Sequence, residues 1–136
     1  MLNRRGFMSC AICTAVGFAA TDASAQAPQP QGVTRTVLGK TELPGDVYVA
    51  ILMDVEFDAG FKVQRHTHPG VESGYLITGG GVLSVKGQPD RTMKPADGFQ
   101  IPFQVPHAFQ VGSEKTRLAI TYVVEKDKPL ASPAPE

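Results

Sequence analysis

The sequence predicts an all-β fold, a sandwich or barrel of eight or more short strands. Three observations carry that prediction. Val, Ile, Thr and aromatic residues cluster in short runs, each bounded by Gly, Pro or Asp at turn-like spacing. Glycine (14) and proline (11) are frequent and tryptophan is absent, a mixture that suits many tight turns better than long helices. Past about residue 25, no segment repeats its apolar residues with a helical period.

Residues 26–32, QAPQPQG, form a Pro/Gln linker without apolar periodicity. Val33 to Gly39 is a candidate edge strand, so residues 26–45 read as linker plus edge. Val47 to Phe57 is dense in Val, Ile and Leu, and its end alternates polar with apolar through Asp54, Val55, Glu56 and Phe57. It should enter the core and emerge half-exposed. Phe61 to His66 and Val71 to Thr78 flank Pro69-Gly70, a turn pair. Gly79-Gly80-Gly81 reverses the chain into Val82 to Lys86. Gly87 to Asp90 turns it again into Arg91 to Lys94, and Asp97-Gly98 precedes Phe99 to Pro102. Pro106 to Val111 and Thr116 to Glu125 are the last strands. Residues 46–126 thus form the barrel, and the tail, 127–136, is expected to fray.

A chain of 136 residues supports one domain with a single core. Formal net charge is zero with both signs mixed along the chain, which argues against a nucleic-acid or membrane-surface footprint. Residues 1–25 have the parts of an export leader in order. Arg4-Arg5-Gly6-Phe7-Met8 resembles a twin-arginine signal, and the apolar run Phe7 to Ala20 is too short for a stable span. Ala23-Ser24-Ala25 is an A-x-A cleavage site. The expectation is a periplasmic or otherwise exported protein that begins at Gln26 and has no stable membrane anchor. Cys10 and Cys13 leave with the leader, so the mature chain has neither disulfide nor thiolate ligand.

The chemistry concentrates between Gly60 and Gly79. His66 and His68 sit two residues apart, which on a strand aims both at one side. Glu72 follows beyond Pro69-Gly70, placed to swing round to the same point. Two imidazoles and a carboxylate form most of a metal site. The stretch resembles the first signature of the cupin superfamily: Gly, five residues, His-x-His, three or four residues, Glu, six residues, Gly. It is met here by Gly60, His66, His68, Glu72 and Gly79. The second signature is Gly, five residues, Pro-x-Gly, two residues, His, three residues, Asn. Pro102 and His107 match it, while Ala96, Gln104 and Val111 depart from it. The likeness covers roughly Asp46 to Lys126.

The resemblance implies a double-stranded jelly roll with its site in the lumen. It implies a divalent first-row metal held by His66, His68, Glu72 and His107, which include all three histidines of the chain. Their ligand atoms should lie within about 4 Å of one another. An all-N/O set suits Mn, Fe, Ni, Cu or Zn. Export of an already folded chain, loaded in the cytoplasm, favours Mn or Fe. Four ligands leave two octahedral positions for substrate or dioxygen. Ala96 in a Gly position implies that Gly98 takes the positive φ instead. Gln104 either bears a positive φ or turns its amide into the cavity mouth. Phe109 shares parity with His107 and Leu76 with Glu72, so both are pocket candidates, as are Gln104 and Tyr122. Met53 and Phe99 are weaker ones. Tyr75 and Tyr122 are candidate donors behind the ligands, and Lys62 and Arg65 should be solvated. The family likeness implies an oxygenase-type enzyme acting on a small apolar or aromatic molecule, with Glu72 as a possible base. A metal- or ligand-binding protein without turnover is the alternative. Small cupins of one domain often pair, which makes a homodimer the expectation.

Overall fold

The computed structural model describes residues 30–135. The expected leader, with Cys10, Cys13 and the expected cleavage site after Ala25, lies outside the described residues. Among the described residues no helix is long and apolar enough to cross a membrane. Ten strands run in order: β1 Val33–Glu42, β2 Tyr48–Phe57, β3 Lys62–Thr67, β4 Gly70–Thr78, β5 Gly81–Val85, β6 Arg91–Met93, β7 Gly98–Ile101, β8 His107–Val111, β9 Thr116–Glu125 and β10 Ser132–Pro133.

They pair antiparallel into two five-stranded sheets, β1-β2-β9-β4-β7 and β10-β3-β8-β5-β6. After β2 the chain passes repeatedly from one sheet to the other, as in a jelly roll. Period-two alternation drives the packing. In β9, Thr116, Leu118, Ile120, Tyr122 and Val124 are all buried, while the residues between them are not. They meet Val55, Leu76, Ile101 and Val111 in one core between the sheets.

The sheet-to-sheet crossings position the site. Pro69-Gly70 is such a crossing: β3 ends at Thr67 in the second sheet and β4 begins at Gly70 in the first. The crossing is tight because a Cβ on Gly70 would stand 2.0 Å from the Val123 carbonyl oxygen. At Gly79 the backbone is left-handed (φ 76°), and a Cβ there would come within 2.5 Å of the Lys115 carbonyl oxygen. The second signature gives a correction. Ala96 itself takes the left-handed conformation, at φ 72°, and Gly98 does not. The Asp97 side chain accepts from Lys94 N–H at 2.9 Å and its N–H donates to the Lys94 carbonyl. That places the positive φ two residues earlier than expected, and Ala96 bears a cost of about 1 kcal/mol.

Two other elements differ from expectation. β1 runs on to Glu42, its register shifting between Val37 and Gly39 so that pairing with β2 continues. The tail does not simply fray: β10 pairs Ser132 with Thr67 and Pro133 with His66.

Candidate metal centre

Both sheets contribute to one cluster. His66 near the end of β3 pairs directly with His107 at the start of β8. Glu72 lies on β4 in the facing sheet, beside Tyr122 of β9. His68 sits just past β3, in the crossing and not on the strand. The Gln104 N–H donates to the His68 carbonyl (3.1 Å) and the Glu125 N–H to the Pro69 carbonyl (2.9 Å), holding that crossing in place. His68, Glu72 and His107 are buried and His66 is half-buried.

The ligand atoms of these four residues all lie within 4.8 Å of one another. That is wider than the 4 Å expected, because the farthest pair exceeds the about 4.2 Å that separates opposite ligands at bond lengths near 2.1 Å. The close pairs fit better. His68 Nε2 and His107 Nε2 stand 3.0 and 2.9 Å from Glu72 Oε2, and the Nε2 atoms of His66 and His68 are 3.2 Å apart. Adjacent ligands of an octahedron are about 3.0 Å apart at the same bond lengths.

The hydrogen-bond chemistry says what the cluster could hold. Each ring offers Nδ1 to a backbone carbonyl: His66 to Gln64 at 2.7 Å, His68 to Leu130 at 2.5 Å, His107 to Val105 at 3.0 Å. A carbonyl only accepts, so each Nδ1 carries the proton and each neutral ring turns an Nε2 lone pair inward. Three lone pairs and a carboxylate then face one another. Such a group could hold a cation among its members, and this donor set fits a divalent transition metal.

Electrostatics agree. Burial works to raise the Glu72 carboxyl, but when His107 and His68 carry a second proton their hydrogen bonds and charge outweigh it and hold the group down at about 2. So anionic a carboxylate is a good ligand and a poor proton acceptor, which weakens its reading as a base. Desolvation pulls His66 down to about 4, partly opposed by the Gln64 carbonyl, so its lone pair is available at neutral pH. Tyr122 is pushed well above the usual phenol range by burial and by the Glu72 charge. It stays a neutral phenol on the strand residue paired with Glu72.

A cavity of about 50 Å³ adjoins the cluster. His66, Glu72, His107, Phe99, Phe109 and Tyr122 are among its lining residues, and so is Arg35. Phe109 and Tyr122 are where the sequence predicts, and Phe99 joins them. Leu76 is fully buried in the core and Met53 is buried too, but neither lines the cavity. Gln104 is exposed and also lies outside the lining. Its φ of 57° shows that the backbone, not the amide, serves the site, through the bond to His68. Tyr75 is 51% exposed on the outer side of β4, away from the ligands. Lys62 is exposed as expected, whereas Arg65 is half-buried with its Nε enclosed.

Sequence reasoning missed two contributors. Arg35 shares parity with buried Val33 on β1, a signal that would have placed it inward. Leu130 acts through a carbonyl, which no side-chain pattern reveals.

The cupin domain family profile matches residues 53–124, just over half of the chain. No curated protein matches the sequence. Among solved structures, a cupin-like protein from Thermotoga maritima is 24% identical with a TM-score of 0.61, covering 75% of each chain. KdgF from Halomonas sp. is 20% identical with a TM-score of 0.60, over 72% of this chain and 85% of that one. The polyketide cyclase RemF from Streptomyces resistomycificus is 18% identical with a TM-score of 0.61, over 78% and 73%. At these identities the likeness is one of fold. With the domain match and the ligand cluster in register, this chain belongs to the cupin family.

Proposed function

We propose that this protein is an exported, metal-dependent cupin enzyme acting on a small organic molecule, with oxygenase-type chemistry as the specific reading. The observation that carries it is the set of three inward Nε2 lone pairs and one carboxylate, each ring anchored through its Nδ1–H. A divalent Mn or Fe ion, held by His66, His68, Glu72 and His107, would supply a Lewis acid there. Around it the chain's residues have defined tasks. Tyr122, paired across the strands with Glu72, stays neutral and packs against the His68 ring. Phe99 and Phe109 keep bulk water from the cavity. Arg35, the one cation among the lining residues, favours a substrate with an anionic oxygen. The small cavity limits that substrate, or the part of it that enters, to a few heavy atoms. That a polyketide cyclase has the same fold supports an enzyme acting on a small organic molecule, without requiring oxygen.

The test is oxygen consumption by Mn- and Fe-loaded protein with hydroxylated aromatics, small carboxylates and small thiols. Metal-dependent uptake with at least one class is expected. No uptake across the panel contradicts the oxygenase reading and favours a metal or ligand carrier. Export rests on the leader; normal periplasmic processing after Arg4 and Arg5 are both replaced by Lys would contradict the twin-arginine route. A homodimer is proposed through the outer face of the first sheet, where Leu52, Val71 and Tyr75 are exposed together. Sedimentation at the mass of a single chain would rule it out.

A further inference from the structure

We propose that the C-terminal segment, residues 129–135, is a strap that sets the orientation of His68 and so positions the metal centre. The proposal rests on the metal-binding reading of the site. The segment supplies none of the four ligands and lies beyond the domain match, which ends at residue 124.

The three histidines are oriented in different ways. His66 and His107 each donate Nδ1–H to a carbonyl two residues back, so their own local backbone sets the ring. His68 donates to Leu130, 62 residues further along the chain, at 2.5 Å. Its tautomer and rotamer therefore depend on where the tail lies.

The tail is held at both ends. At its base Lys128 pairs with Glu125 at 2.7 Å, and Asp127 turns the chain at φ 62°. The Leu130 side chain packs half-buried against the core, in a groove it shares with Val49, Ile51 and Val124. Farther on, Ser132 and Pro133 pair with Thr67 and His66, and the Ala134 N–H donates to the Arg65 carbonyl at 3.1 Å. Pro129, Pro133 and Pro135 restrict φ and reduce the entropy lost on docking. Pro133 sits on an edge strand, where a missing N–H breaks no ladder. The strap thus lies along the strand that carries His66 and places one carbonyl on His68. Without that acceptor, the His68 proton is free to move to Nε2, and the ring then presents N–H to the metal in place of a lone pair.

Three variants test this: a chain ending at Lys128, Leu130→Ala, and Leu130→Met as the conservative control. Leu130→Ala keeps the carbonyl and loosens its anchor, which covers the case where truncation prevents folding. Two quantities are read: the His68 ring tautomer by nitrogen NMR of metal-free protein, and Mn(II) affinity by titration. The full chain should hold His68 as the Nδ1–H form. The truncation and Leu130→Ala should admit the Nε2–H form and weaken Mn(II) binding by about tenfold to a hundredfold. His66 and His107 should keep their tautomers, and Leu130→Met should restore both readouts. An unchanged His68 tautomer in the loosened variants overturns the proposal, even if Mn(II) binding weakens, since the tail would then be merely structural. A changed tautomer with unchanged affinity overturns it as well. Failure of the full chain to bind Mn(II) counts against the metal reading, and the metal-free tautomer comparison still decides whether the strap sets His68.

Discussion

His66 is the most exposed of the four ligands, yet desolvation still holds it at about 4 against an ordinary 6.5. Between those values the unfolded chain takes up a proton that the folded chain refuses. Stability of the metal-free protein should therefore fall as pH drops from about 6.5 towards about 4. Glu72, held at about 2 against 4.5, adds a further loss as pH falls through that lower range. Urea denaturation of metal-free protein across both ranges measures the slope, and a flat profile between 6.5 and 4 would contradict the assigned environment of His66. Arg35 carries a second expectation. Arg35→Met should weaken binding of small carboxylates to the metal-loaded protein by about tenfold or more, with metal content unchanged; calorimetric titration decides, and equal affinity removes Arg35 from substrate binding. At this scale the sequence was informative where side chains ligate. The spacing of His66, His68 and Glu72 was readable, and His107 followed from the family likeness. Gln104 and Leu130 serve through backbone groups, and such groups leave no mark in residue type.

Strand existence was readable from alternation, because a buried face demands period two and turns demand Gly, Pro or Asp. Every expected strand from β1 to β9 occurs, with ends shifted by a residue or so except in β1. What pattern does not encode is which strand neighbours which, or what ties one sheet to the other. Thr116 is an example: it is fully buried at the start of β9, accepting from the Gly80 N–H at 2.9 Å and donating to the Gly80 carbonyl at 3.0 Å. Those bonds fasten the Gly79–Gly81 reversal to β9. Thr116→Val leaves the Gly80 N–H without its partner, while the Gly80 carbonyl keeps the Gly112 N–H at 2.9 Å, and should cost about 1–3 kcal/mol in denaturation experiments. A loss below about 0.5 kcal/mol would mean that solvent replaces the hydroxyl. The tail shows the same blindness, since the edge of β3 that it covers is known only once the sheet order is.

At the scale of the whole molecule, two sheets converge so that β3 and β8 bring imidazoles, β4 brings a carboxylate and the β3–β4 crossing brings His68. The fold of the chain and the convergence of His66, His68, Glu72 and His107 were foreseeable because motif, alternation and turn chemistry point the same way. The size of the cavity and the presence of Arg35 in it were not, since both depend on how the two sheets pack. The shared metal centre is tested most directly by elemental analysis of the purified chain beside its His66→Ala, His68→Ala, Glu72→Ala and His107→Ala variants. The expected result is about one divalent metal ion per wild-type chain, with each variant retaining less than about a tenth of that after the same dialysis. A wild-type chain that stays metal-free and takes up no divalent ion, or a folded variant that keeps its full metal content, would contradict a single centre held by all four residues.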